Sequence, residues 1–194
     1  MFGLAHIVLF SALAFQANAH TTDGRQDNGL IGFGTEMYNP TCAYACRSTV
    51  TAWSLNCPGE ESHHGGGSHS MHDMPSPQCY ATNDPFLQTL ALCISKHCEG
   101  VTASLLEKYW ELNVAGRNKV QPLPKYSYQD ALRLIEKPVT TIVDSEEVLT
   151  TPSLVDEEAY QSNFRTQLNF EQQEKRHSFY GYVLLPVSFS QLCS

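Results

Sequence analysis

The spacing of apolar residues along the chain predicts a protein built mainly from helices. Ala43, Val50 and Trp53 form one apolar stripe shortly after Thr41, a residue type that often caps the N-terminus of a helix. We therefore predict a first helix that begins at Thr41 and ends at about residue 55.

A second helix is expected after residue 84, because Asp84 can act as its N-cap and Pro85 suits the first turn of a helix. Its apolar residues cover more of the helix surface than an exposed helix tolerates, so this helix should pack inside the domain. These residues are Phe86, Leu87, Leu90, Leu92 and Ile94.

Two further helices and an extended segment are expected next. A third helix is expected from about Thr102, and Ser104 and Glu107 have the spacing of a capping box. Ser127 can cap a short fourth helix that ends before Pro138. The β-branched residues of 139–151 favour extended backbone, but the sequence offers no obvious partner strand.

The last helix is expected to be the longest and to carry opposite charges at its two ends. Ser153 can cap it, acidic residues fill its first turn, and the Lys-Arg-His run at 175–177 would fill its last turn. This predicts an acidic juxtamembrane helix at 153–178. The apolar run that follows contains Pro186 and is shorter than the roughly 20 residues of a membrane helix. We therefore predict an incomplete transmembrane start at 179–194.

The N-terminus has the pattern of an exported protein. Residues 1–19 combine a short apolar run with small residues at the cleavage position, as a signal peptide does. Residues 20–37 are polar and should form an extended arm. The expected location is the secretory pathway, followed by the extracellular side of the plasma membrane or the medium.

Six of the seven cysteines lie in one stretch, and their spacing suits two facing helices. In an exported protein such a set predicts a disulfide framework, whereas the rival interpretation is a zinc site with thiolate ligands. Six cysteines allow fifteen connectivities. On antiparallel helices the spacing favours Cys42–Cys98 and Cys46–Cys93, which leaves Cys57–Cys79.

A histidine-rich loop at 60–78 carries the candidate metal ligands. Imidazole binds Cu(II) and Zn(II), and thioether sulfur favours Cu(I), so this mixture predicts weak binding of copper or zinc. The alternative is a solvated low-complexity insertion without a specific ligand. The candidate ligands are His63, His64, His69, His72, Met71 and Met74. By contrast, His97 is expected to be a packing or surface residue.

The composition excludes several classes of function. A net charge of −8 and the absence of a Lys/Arg cluster argue against nucleic acid as a partner. The sequence contains neither a P-loop nor a dinucleotide-binding glycine motif, and no serine or cysteine has the surroundings of a catalytic nucleophile.

Three stretches of this sequence resemble the extracellular N-terminal region of fungal ferric/cupric reductases. They are residues 38–53, residues 78–93 with the sequence Gln-Cys-Tyr-Ala-Thr-Asn-Asp-Pro-Phe-Leu-Gln-Thr-Leu-Ala-Leu-Cys, and residues 106–110 with Leu-Glu-Lys-Tyr-Trp. The approach to Arg-His-Ser-Phe-Tyr-Gly at 176–181 is also similar to the lead into the first membrane helix of those proteins. The resemblance covers residues 38–185.

The resemblance implies that full-length relatives reduce Fe(III) or Cu(II) outside the cell with electrons from NADPH, which pass through FAD and two membrane haems. The haem-binding membrane domain and the FAD/NADPH domain have no counterpart in this sequence. No residue here inherits a catalytic, haem or flavin role, so the chain by itself is not expected to be an enzyme.

The sequence as a whole predicts a mainly α, disulfide-stapled domain at 38–138, an extended linker at 139–152 and the acidic helix. The predicted function is the extracellular module of a metalloreductase, with metal ions or metal chelates and the reductase membrane domain as partners. Two alternatives remain: a free-standing secreted metal-binding protein that uses the loop, and a disulfide scaffold without a ligand.

Overall fold

The computed structural model describes residues 38–57, 75–116, 121–136, 138–142 and 147–192. The predicted signal peptide and arm lie outside these ranges. The described part of the chain is mainly helical and carries three disulfides, as the sequence predicts. In order, its elements are α1 Thr41–Val50, β1 Ser54–Leu55, α2 Pro77–Thr82, α3 Asp84–His97, α4 Ala103–Asn113, α5 Tyr128–Arg133, β2 Val148–Leu149 and α6 Glu157–Leu192.

Side-chain caps fix the start of several helices. Asn83, with extended backbone, accepts a hydrogen bond from the amide of Phe86 at 2.9 Å and so starts α3. Asp84 is therefore the first helical residue, and the prediction of Asp84 as the cap is wrong. Ser127 caps α5 as expected, since its hydroxyl accepts from the Asp130 amide.

Of three other predicted helix starts, two are confirmed and one is wrong. Helix α1 begins at Thr41 as predicted, but its N-cap position is Pro40, so the prediction of Thr41 as the cap is wrong. The third predicted helix, α4, begins at Ala103 with Thr102 at its N-cap position, as predicted, and Ser104 lies in its first turn. The long helix starts after Asp156, whose carboxylate accepts from the Ala159 amide at 2.8 Å, whereas Ser153 belongs to the preceding segment.

Two disulfides join α1 to the end of α3 and hold the centre of the core. Cys42 pairs with Cys98 and Cys46 with Cys93, with Cα–Cα distances of 5.5 and 5.7 Å. The third bond is Cys57–Cys79. This connectivity is the one that the helix spacing favours, and it commits all six of these cysteines to disulfides. The largest side chains buried around them are Trp110, Tyr109, Phe86, Leu87, Leu90 and Ile94.

A small parallel sheet replaces the predicted end of the first helix. Helix α1 stops at Val50 and a turn leads into β1, which pairs Ser54 with Val148 and Leu55 with Leu149 of β2. The extended segment therefore has a partner strand that the sequence did not reveal. Leu149 is 1% exposed, so burial of this side chain selects a pairing between distant segments.

Helix α6 is longer than the sequence pattern indicates. It runs for 36 residues and passes through Pro186, so the basic residues at 175–177 lie inside the helix and not in its last turn. A proline inside a helix removes one backbone hydrogen bond, and here the helix continues past it. Among the residues described, no helix combines the length and the apolar run that crossing a bilayer requires.

Candidate functional site: the contact between the stapled helices and α6

Helix α6 packs along α1 and carries buried residues at positions seven apart. Tyr160, Gln167 and Glu174 are each buried, with 3, 7 and 8% of the residue exposed. A repeat of seven residues keeps one face of a helix against its neighbour, as in a coiled coil. Two of these three residues are polar, so the stripe is not visible as a hydrophobic pattern.

Three polar side-chain contacts connect α6 to α1. Asn163 donates to the Thr49 hydroxyl at 3.1 Å. Gln167 donates to the Ser48 hydroxyl at 3.0 Å, and the Thr41 hydroxyl donates to the Glu171 carboxylate at 2.8 Å. We call these contacts, together with the buried stripe, the polar seam. They specify the register of the two helices more than they stabilise the contact, since each replaces hydrogen bonds to water.

At its N-terminal end, α6 meets α3 through a stack of three rings. His97 lies against Tyr160 with ring centroids 3.6 Å apart and planes inclined by 19°. Tyr160 in turn stacks on Phe164 at 5.9 Å. His97 is thus a packing residue, which agrees with the expectation from the sequence.

Charged groups surround the buried imidazole of His97. Its Nε2 atom has no hydrogen-bond partner and lies 3.8 Å from the carboxylate of Glu157, which is itself 3.0 Å from the Lys96 ammonium. Burial lowers the pKa of His97, the Glu157 carboxylate opposes this effect, and Lys96 adds to it. Burial raises the pKa of Tyr160 to about 12, and the charge of Glu157 contributes to this rise.

An open groove of about 610 Å³ lies beside this ring stack. Its walls come from the start of α1, the end of α3 and the first turns of α6, and they include Thr41, Lys96, Glu99 and Gln161. The groove offers polar and charged groups of both signs to a small molecule. In the part of the chain that the structure describes, no three histidine, cysteine or acidic side chains converge as ligands for a metal ion.

The predicted metal ligands lie outside the described residues. This holds for His63, His64, His69, His72, Met71 and Met74. The structure does describe the two cysteines that flank their segment. Cys57 and Cys79 are 22 residues apart in sequence and 5.7 Å apart at their Cα atoms. Because Cys79 is buried in α2, this bond fixes both ends of the histidine-rich segment to the core.

The sequence analysis did not identify the residues of the polar seam, and the sequence contains only part of the information that would identify them. The spacing of Tyr160, Gln167 and Glu174 is present in the sequence, but two polar residues conceal it. The role of His97 depends on the approach of α6, which lies about 60 residues away in sequence and which no local pattern reports.

The chain has no match among protein-family models, curated proteins or solved structures.

Proposed function

We propose that this chain is the extracellular module of a fungal ferric/cupric metalloreductase and that its histidine-rich segment presents copper or zinc. The resemblance of residues 38–53, 78–93 and 106–110 to the N-terminal region of those reductases supports the first part. Three disulfides also fit an oxidising extracellular or secretory compartment.

One structural observation carries the metal-binding part of this proposal. The Cys57–Cys79 disulfide closes a ring that contains four histidines and two methionines. Closing a segment removes conformational freedom before a ligand binds, so less entropy is lost when several side chains converge on one ion. Imidazole and thioether groups together suit copper in both of its common oxidation states.

In this proposal the metal is cargo, and the module performs no redox step itself. The reductase membrane domain is its partner, and electron transfer through haem and FAD belongs to that partner protein. The long helix α6 packs on the stapled core and also contains the segment 176–181 that resembles the lead into a membrane helix, so it would connect the two parts.

Metal binding is tested by titrating the oxidised chain with Cu(II) and Zn(II) in a calorimeter. Replacing His63, His64, His69 and His72 by alanine is expected to weaken Cu(II) binding by roughly tenfold or more, since every 1.4 kcal/mol of lost binding energy is tenfold in affinity. His177→Ala is the matched control, because this histidine is exposed on α6 and outside the ring. Unchanged affinity in the four-histidine variant would contradict the proposal and favour a disulfide scaffold without a ligand.

The reductase assignment has a separate test. The native transcript should continue past the codon for Leu185 into an apolar helix and later membrane histidines. In a full-length relative, deletion of the segment equivalent to 60–74 should reduce metal uptake at low metal supply, while leaving α2 and its cysteine intact. Metal binding together with a transcript that stops would instead favour a free-standing secreted metal-binding protein.

A further inference from the structure

The contact between His97 and the first turns of α6 has the features of a proton-sensitive latch. We infer that protonation of His97 releases the N-terminal turns of α6 from the stapled helices, so that acidification loosens the long helix. This inference concerns a different part of the molecule from the histidine-rich ring and does not depend on metal binding.

The geometry places the titrating ring at the contact itself. The His97 side chain is only 9% exposed and lies flat against Tyr160. In its neutral form the imidazole packs as an aromatic ring. Once protonated it carries a charge that must be solvated, and the Nε2 atom has no hydrogen-bond acceptor in the docked arrangement. Movement of α6 away from α3 exposes the ring to water and removes this cost.

The charged and titratable groups around His97 do not compensate for the buried charge. Glu157 of α6 attracts an imidazolium, but Lys96 lies closer to the same carboxylate oxygen, at 3.0 Å against 3.8 Å for His97. Lys96 also repels the imidazolium directly. Tyr160 stays neutral because its pKa is about 12, and Glu99 lines the outer groove. The start of α1, which forms the remaining wall, contributes no charge.

The direction of the pH effect follows from the pKa of His97. In the docked state this pKa is below its ordinary value of 6.5, so the released state binds a proton more readily. Docking is therefore strongest above about pH 6.5 and weakens as the pH falls towards the docked-state pKa. It recovers on return to neutral pH.

A second titratable group at the contact, Glu171, acts at lower pH than His97. Burial raises the pKa of Glu171, but hydrogen bonds from Lys175 and Thr41 outweigh this effect and hold the pKa below its ordinary value of 4.5. The stabilisation from Glu171 is thus present above that pH and is lost only as the pH falls through the lowered pKa. Measurements at pH 5 and above separate His97 from Glu171.

The polar seam makes such a release feasible. Asn163, Gln167 and Glu171 meet hydroxyl groups of α1 across the contact, and water can replace each of these partners when the helices part. A contact built from polar groups holds the helix in register, but separating it requires less free energy than separating an apolar contact.

Hydrogen exchange of the intact, disulfide-bonded chain tests the latch. Protection of the amides in residues 157–164, corrected for the intrinsic effect of pH on exchange, should fall several-fold between pH 7.5 and 5.0. His97→Phe keeps a ring against Tyr160 and cannot be protonated, so its protection should stay constant over this range. His177→Gln changes an exposed histidine on the same helix and should retain the wild-type pH response.

Two results would overturn the inference. One is equal protection of residues 157–164 in the wild type at both pH values. The other is a pKa of 6.5 or higher for His97, measured by NMR titration of the wild-type imidazole. The NMR measurement needs no variant, so the inference stays testable even if His97→Phe does not fold.

Discussion

Buried polar side chains decide how the segment before α6 attaches to the core. Thr89 in the middle of α3 is fully buried, and its hydroxyl accepts a hydrogen bond from the Ser153 amide at 3.0 Å. Ser153 is only 1% exposed, so no water can replace Thr89 as the partner of this amide. This hydrogen bond explains why a polar residue, Thr89, interrupts the apolar pattern of α3.

Thr89→Val should destabilise the protein. Valine fills nearly the same space but leaves the buried Ser153 amide without an acceptor, at a cost of about 1–3 kcal/mol in the free energy of unfolding. Thr82→Val is the control, because the Thr82 hydroxyl donates to a backbone carbonyl at an exposed position. Urea unfolding of both variants gives the comparison. A loss of equal size in the two variants would argue against this role for Thr89.

The polar seam between helices α6 and α1 fixes their register but makes their contact less stable than an apolar contact would be. Gln167 is 7% exposed, and its Nε2 donates to Ser48 while its Oε1 has no hydrogen-bond partner. A polar residue at a repeating contact position selects one register of two helices and weakens their contact. The same property favours release of the N-terminal turns of α6 when His97 is protonated.

Gln167→Leu should therefore stabilise the docked helix. The change removes an unsatisfied buried acceptor and adds apolar contact, which should raise the free energy of unfolding by about 1 kcal/mol. Gln173→Leu lies on the exposed side of α6 and should have little effect. Thermal unfolding monitored by circular dichroism measures both changes. Destabilisation by Gln167→Leu would show that its hydrogen bond to Ser48 outweighs the unsatisfied oxygen.

Two of the disulfides contribute in different ways to the stability of the whole molecule. Cys46–Cys93 lies in the core, where both residues are at most 3% exposed, and joins segments 47 residues apart. Cys57–Cys79 joins residues only 22 apart in sequence, at the edge of the domain. The Cys46–Cys93 bond lowers the conformational entropy of the unfolded chain and its sulfur atoms pack in the core. The Cys57–Cys79 bond mainly holds together the two ends of the histidine-rich segment.

Removing the two bonds should have unequal effects. Cys46→Ala combined with Cys93→Ala leaves Cys42–Cys98, which joins the same segments, so chain entropy should lower the free energy of unfolding by about 3 kcal/mol and lost core contacts should lower it further. Cys57→Ala with Cys79→Ala should cost about 3 kcal/mol and leave the helical core intact. Guanidinium unfolding of the two double variants compares them. A larger loss in the Cys57/Cys79 variant would contradict this division.

Much of the local structure was determined by the sequence alone. Helical spacing of apolar residues indicated the mainly α class, and cysteines four residues apart on one helix indicated which pairs can meet. Both signals depend on the geometry of a single helix, which neighbouring residues specify. The prediction of weak copper or zinc binding at the histidine-rich segment also comes from local composition and stays a prediction.

The tertiary structure decided what depends on distant partners. The pairing of β1 with β2, the buried stripe of α6 and the stack of His97 on Tyr160 each join segments far apart in sequence. Polar residues occupy the seam, so no periodic pattern of hydrophobic residues in the sequence indicates this contact. Likewise Lys175, Arg176 and His177 resemble a helix end when only charge is considered. The helix nevertheless continues past them to Leu192, since a favourable interaction of a few charges with the helix dipole is worth too little to decide where a helix ends.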